Sequence, residues 1–431
     1  MRRALPAALL LVLLSAGPAL AAAGGGSSGF GGGGGGGGGG FSGGGGSTSG
    51  SGSGGGFAGF LFFVLIVLVV FAIGAIGDYR RRKRRRERVA MVELHSAKAA
   101  DDDPAFAPAA VRESAARLFR EVQAAWTARD ETALARYLGP DLLVEWKRRL
   151  ADFERKGWHN VCELRADPEV EYVGLVNRTA DEEDRVVVRI TAQMRDYVKD
   201  RHGNVIKKSD SASPDTTLEE YWTLAKRDGA WMLFSIEQDD EGSHHLESAI
   251  VATPWEDDQR LQDASATELA VADAIPDTQI REVADLDFDG DARVAAMDLS
   301  VVDGRFAPGV LEAAARRAVD AWAEAVDGDD APLEAVASPE AVRALLHPRG
   351  DKTRLVVRGP QLQQLRITGV DAATQPATMR VEARVAGRRY IEDRDTLALL
   401  SGSKDAATTF TEHWTLALDG TGETPWRIVG T

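Results

Sequence analysis

Three kinds of hydrophobic spacing run along this chain of 431 residues. Residues 57 to 77, FAGFLFFVLIVLVVFAIGAIG, are 21 positions without a charge. A helix of that length reaches roughly 30 Å, the hydrocarbon thickness of a bilayer, so the run predicts a transmembrane helix. A second spacing, near 3.6, begins in AAVRESAARLFREVQAAWTARD, where Val111, Ala115, Leu118, Val122 and Trp126 share one face. It predicts an amphipathic helix whose stripe meets a core rather than a cofactor. ETALARYLGPDLLVEWKRRLADFERKG continues as two more helices, broken at Gly139-Pro140. The third spacing is the alternation of a half-buried strand, in VVVRITAQMRDYV (186–198) and MRVEARVAGRRYI (379–391).

Those two strands belong to a longer internal repeat. RVAMVEL at 88–94 returns as RVAAMDL at 293–299, and FAP at 106–108 returns at 306–308, each time opening an alanine-rich segment that ends in AW at Trp126 and Trp322. Phe106 to Trp126 is 20 residues and Phe306 to Trp322 is 16. The difference is about one helical turn, which roughly preserves the buried face. Tyr197 then aligns with Tyr390, Trp222 with Trp414, and Trp231 with Trp426. The turn segments RDG and DGTGETP close a tryptophan-bearing hairpin in each copy. Six landmarks keep their order at offsets of 192 to 205. Helices followed by antiparallel strands predict an α+β class: two tandem conical domains, each with helices packed on a curved antiparallel sheet.

The segments ahead of the repeat are of another kind. Arg2, Arg3, LPAALLLVLL and Ala19-Leu20-Ala21 read as a signal peptide over 1–21. Residues 22–56 form a Gly/Ser-rich tether with too little apolar surface to fold. The run Arg80, Arg81, Arg82, Lys83, Arg84, Arg85 and Arg86 follows the apolar segment directly. The positive-inside bias holds it in the cytoplasm, which predicts a single-pass protein of the bacterial inner membrane with the tether outside and the body inside. The same seven cations are the expected contact with anionic lipid headgroups. Net charge is −15, and ten basic residues against Asp78 and Glu87 up to residue 88 leave −23 for the other 343. So acidic a body repels phosphate, which argues against nucleic acid as a partner. With one cysteine, Cys162, no internal disulfide can form.

The order of export signal, glycine tether, span, Arg run, FAPAAVRESAARLFREVQAAWTARDETALARYL and EYWTLAKRDGAWMLFSIEQ resembles bacterial members of the Tim-44-like domain family. The resemblance covers about 88–260, with 293–431 as a shorter, divergent copy. It implies a fold similar to the nuclear transport factor 2 cone and a binding role close to a membrane. The mitochondrial relative tethers a heat-shock chaperone to a translocation channel and contacts cardiolipin. Nothing here matches its chaperone-binding part, so the resemblance implies the role and not the partner. The expected division is a basic lead-in over 78–104, a Tim-44-like domain over 105–260, an acidic linker over 261–292 that keeps the units separately folded, and a second cone over 293–431.

Candidate chemistry is thin. Cones of this type also host lyases and isomerases that use an acid–base pair. Asp196 beside Tyr197, Glu220, and Glu412 with His413 are the candidates, but the counterpart of Asp196 is Arg389 and only the glutamate before the Trp strand persists. Tyr197, Glu220, Trp222, Trp231, Tyr390, Glu412, Trp414 and Trp426 are the candidate pocket or rim residues. Cys162 with His159 has the types of a thiolate–imidazole pair but no third group, which favours a structural cysteine. DLDFDGD (285–291) has the opening ligands of a calcium loop but Ala296 where the bidentate Glu belongs. Adjacent His244 and His245 point apart on any regular element, so no metal is expected there. The reading is a noncatalytic membrane protein without a cofactor that binds a protein or peptide partner, with lipid or apolar-ligand binding and lyase or isomerase activity as the alternatives.

Overall fold

The computed structural model describes residues 55–206, 214–272, 292–420, 422 and 424–431, with side chains from residue 77 onward apart from 78 and 258. The expected signal peptide, all but the last two residues of the tether, and DLDFDGD lie outside these residues.

Helix α1 runs unbroken from Gly55 to Asp102, 48 residues and about 72 Å. The backbone of 57–77 is its first half. Among the residues whose side chains are described, no helix is long and apolar enough to cross a membrane. The expected basic lead-in is therefore the second half of one long helix. Residues 78 to 102 contain neither Gly nor Pro and are rich in Arg and Ala, so nothing ends the helix before Pro104. Arg88, Val92, Ser96 and Ala99 are buried, a stripe at helical spacing that docks α1 on the first sheet.

A 3-10 turn capped by the Asp103 carboxylate, which accepts from Ala105 N at 2.9 Å, leads into α2 (Pro108–Ala128). Then come α3 (Glu131–Tyr137) and α4 (Pro140–Lys156), the latter stopped by Gly157 at φ 66°. Six strands follow: β1 (Trp158–Leu164), β2 (Glu169–Val176), β3 (Arg185–Asp200), β4 (Val205–Ile206), β5 (Asp215–Arg227) and β6 (Ala230–Gln238). The sheet is antiparallel in the order β1-β3-β5-β6, with β2 and β4 also on β3. Register shifts at Tyr172/Gly174 and Thr223/Leu224 curl it around the helices.

After α5 (Asp258–Ala272) the second unit repeats the plan: α6 (Ala292–Ser300), α7 (Pro308–Asp327), α8 (Ala331–Val336), α9 (Pro339–Leu346), β7 (Thr353–Asp371), β8 (Thr378–Asp393), β9 (Leu399–Gly402), β10 (Thr408–Ala417) and β11 (Arg427–Gly430). Its sheet runs β11-β10-β8-β7 with β9 on β8. Strands β8, β10 and β11 take the places of β3, β5 and β6, and the long, bulged β7 does the work of both β1 and β2.

The repeat extends to register and to single contacts. Trp222 lies opposite Val188, and Trp414 lies opposite Val381. Phe106 meets Trp231 edge-on at 5.3 Å, and Phe306 meets Trp426 edge-on at 5.5 Å. The Trp231 indole donates to Ala105 O at 3.2 Å, and that of Trp426 to Arg305 O at 3.0 Å. Each unit has its own core, the first around Trp126, Trp146 and Trp222, the second around Trp322 and Trp414.

The two units, each with its own core, also touch through ion pairs and hydrogen bonds. Arg185 bridges to Glu324 (2.5 Å) and Asp329 (2.8 Å), Arg394 to Glu145 (2.5 Å), and Ser235 Oγ donates to Asp327 O at 2.9 Å. Within the expected linker, α5 is held to α7 by Asp263 and Arg316 at 2.7 Å. Charges that look like solvated surface in one dimension pair across the interface in three.

Candidate functional site

The acid–base candidates of the first unit lie inside the cone. Strand alternation puts Glu220 and Trp222 on the same, inward face of β5. The Trp222 indole donates to Glu220 Oε2 at 3.0 Å and the Gln238 amide to Oε1 at 3.3 Å. Burial pushes the Glu220 carboxyl up to about 7 against those two bonds, with Asp196 adding to the rise. Asp196 accepts from Asn160 Nδ2 at 2.6 Å, and Asn160 Oδ1 in turn takes the Trp126 indole proton at 2.7 Å. The neighbouring Tyr197 points the other way, its hydroxyl donating to Glu163 at 2.9 Å beneath Arg195 and Lys199. Cys162 lies at 3.8 Å from Asp196, and burial pushes its thiol up. His159, three positions away on β1, faces Thr127 O at 2.7 Å, since an odd spacing on a strand separates two side chains to opposite faces. Chemistry between Cys162 and His159 has no geometry here.

The second unit arranges its counterparts differently. Glu412 is half-buried against Arg389 at 3.6 Å, and His413 is exposed on the opposite face. Trp414 and Trp426 are core residues, as are Trp222 and the partly buried Trp231. Tyr390 alone among the named aromatic residues lines an opening, and that opening lies between the units.

This cleft, about 200 Å³, is bounded by α4 and β6 on one side and by β7, β8 and the end of α7 on the other. Trp146 and Phe234 provide apolar wall, and Arg149, Arg354, Arg358 and Lys404 provide positive charge. Three of these cations are matched within the protein. Arg354 meets Asp330 at 2.7 Å, Arg358 meets Asp327 at 2.5 Å, and Lys404 meets Glu392 at 2.9 Å. Arg149 is different. It is 8% exposed, its Nε has no acceptor, and no ion pair forms with it among the described residues. Burial lowers its pKa, against the pull of the Glu145 and Glu392 carboxylates. Earlier on the same helix, Asp141 accepts from Asp330 N at 3.0 Å, and burial pushes its carboxyl up to about 6. Sequence reasoning missed Arg149, Arg354 and Arg358 because the cleft forms only where the two copies meet.

The structure also corrects the expectation for His244 and His245. They sit on a 3-10 turn, Gly242–Leu246, with ring centroids 4.0 Å apart, and both face Glu237 of β6. Burial opposes ionisation of Glu237, but the two imidazoles hold its carboxyl well below the usual range.

The Arg run is divided. Arg81, Arg84 and Arg85 reach Asp240 (3.0 Å), Glu247 (3.4 Å) and Glu171 (2.9 Å), and Lys83 pairs with Glu87 at 3.7 Å. Among the described residues Arg80, Arg82 and Arg86 have no such partner.

No curated protein matches this chain. Among solved structures, the intermembrane space region of the chloroplast protein ARC6 is similar at 15% identity, covering 30% of this chain and 95% of that one with a TM-score of 0.24. The Tim44-like domain model matches residues 93–238, from the docked half of α1 to the last residue of β6. Over that stretch, which holds the helices and the sheet of the first unit, the chain carries a Tim44-like domain.

Proposed function

We propose that this is a membrane-anchored, noncatalytic protein that presents its two units on the cytoplasmic face and holds an extended segment of a protein partner in the cleft between them. The observation that carries the reading is the contrast between filled cones and the open cleft. Trp126, Trp146 and Trp222 occupy the interior of the first unit, Trp322 and Trp414 that of the second, whereas the cleft combines apolar wall with an unmatched buried arginine. A buried guanidinium whose Nε lacks an acceptor is costly, and a carboxylate from a bound chain would relieve it with paired hydrogen bonds. A Tim44-like domain supports a role in protein transport or assembly. The apolar run at 57–77 and the cations after it support the anchor and its orientation.

Photo-crosslinking from position 405, on the cleft, in membranes holding the full chain should give discrete protein adducts that Arg149→Ala weakens. Adducts arising instead from position 113, on the exposed face of α2, would sink the cleft as the binding site. A reporter fused after Thr431 should be active only in the cytoplasm, and activity outside would reverse the orientation.

One observation favours a second reading. A carboxyl pushed up to about 7 suits a general acid–base group, and Glu220 has that property. Its two oxygens are occupied by Trp222 and Gln238, so a reactant would have to displace one of them.

A further inference from the structure

We propose that Glu237, His244 and His245 form a binding site for one divalent transition-metal ion, zinc being the best match to the donors. Two imidazoles and a carboxylate are a ligand set zinc takes readily, with a fourth position left for water or an incoming group. One donor atom from each residue lies within 4.8 Å of the other two. Nε2 of His245 is 2.8 Å from Oε1 of Glu237, and Nδ1 of His244 is 3.5 Å from Oε2. Ligands at about 2.0–2.2 Å in a tetrahedron stand roughly 3.3 Å apart, so the two His–Glu distances depart from that spacing by about half an ångström or less, and the imidazoles close on the ion from within the wider spacing of the three donors.

A second observation points to a ligand. Glu237 is 1% exposed, and its Oε2 is buried without a hydrogen-bond partner. An orphaned carboxylate oxygen in the interior calls for an explanation, and an ion between it and the imidazoles provides one.

The surroundings hold the donors in place. Gly242 packs on Tyr221 so tightly that a Cβ would come within 2.4 Å of the ring, which fixes the turn on the sheet. The His244 ring lies over Gly359 of β7, at φ 58°, where a Cβ would meet Cγ at 2.7 Å. Tyr221 flanks His245 with ring centroids 5.8 Å apart. The site thus joins β6, the turn after it and a strand of the other unit. Arg358, whose charge acts on Glu237, opposes a cation, but it is bound to Asp327 at 2.5 Å. Nδ1 of His244 contacts Glu241 O at 3.0 Å in the metal-free arrangement. Binding through Nδ1 breaks that hydrogen bond and leaves the proton of the neutral imidazole on Nε2, so His244 changes tautomer without a net loss of a proton.

The test uses full-length protein purified without a histidine tag, stripped with a chelator and titrated with zinc chloride by calorimetry, and separately with cobalt(II) followed by its visible absorption. One equivalent should bind, with the intense absorption of a four-coordinate cobalt site. His245→Ala and His244→Ala should each weaken zinc by more than the about 10–100-fold that losing an outer-shell partner costs. His202→Ala, on an exposed turn, should leave it unchanged. Glu237→Gln keeps the size and most of the packing, so it decides the matter if an alanine variant fails to fold. A normal melt with loss of the cobalt spectrum supports the site. No zinc bound by wild type, or binding that survives both Glu237→Gln and His245→Ala, overturns it.

Discussion

The two units bury tryptophans at equivalent places, Trp126 and Trp222 in the first, Trp322 and Trp414 in the second, yet they treat the indole N–H groups differently. In the first unit Asn160 accepts from Trp126 and Glu220 from Trp222. In the second, the N–H groups of Trp322 and Trp414 are buried without an acceptor, as is that of Trp146 in the first. The difference traces to single positions. Glu412, the counterpart of Glu220, has turned to Arg389, which stands where the first unit has Asp196. The first unit thus keeps a connected interior of Trp126, Asn160, Asp196 and Cys162, with Glu220 and Trp222 beside it, and the second keeps the shape without the polar network. A fold can be copied through its aromatic landmarks while the polar groups inside it drift. Each orphaned indole costs the second unit about 1–3 kcal/mol.

The sharpest way to break this comparison is to remove the equivalent tryptophans. Trp222→Ala and Trp414→Ala should each cost about 3–5 kcal/mol in denaturant unfolding, because both side chains are fully buried. Trp222→Ala should cost about 1–3 kcal/mol more, since it also strips a hydrogen bond from the buried carboxyl of Glu220. Equal costs would mean that the network contributes nothing.

The next effect is a pH dependence. With its carboxyl raised to about 7 in the folded state, Glu220 binds a proton more readily folded than unfolded. Its contribution is fully present below about pH 4.5 and is lost as pH rises through 7. Glu220→Gln should therefore stabilise the protein by about 3 kcal/mol at pH 8 and by little at pH 4, read from melts across that range. Glu412→Gln, on a carboxylate already paired with Arg389, should show a smaller slope.

Arg185→Ala tests whether the units act together. It leaves Asp329 and Glu324 without their counter-ion, at a cost of about 1–3 kcal/mol given the partial exposure of Glu324. Calorimetry should then resolve one unfolding transition into two. The smallest effects are expected from Phe106→Leu and Phe306→Leu, each losing an edge-on aromatic contact worth about 1 kcal/mol beyond area.

Much of this architecture is legible in the chain. Val111, Leu118 and Trp126 mark α2 by their period, Gly139-Pro140 marks the break before α4, and the Trp222 and Trp414 hairpins mark the repeat that the sheet register follows. The extension of α1 through the Arg run is less visible, because a run of like charges reads first as a topology signal, and its half-buried member Arg85 and the buried Arg88 just after it look the same as the others. What failed did so where residues far apart in sequence meet. Arg149 sits on a face of α4 that becomes interior only when β7 and β8 arrive. His244 and His245 converge only because a 3-10 turn and the bare Gly359 crowd them together.

Hydrogen–deuterium exchange of the full chain, read strand by strand, tests the duplication most directly. If both units are the same curled sheet closed by its own tryptophans, the slowest amides will fall in β3 and β5 around Val188 and Trp222, and in β8 and β10 around Val381 and Trp414. Slow exchange confined to the first set, with the second exchanging throughout at the rate of an open chain, would contradict it.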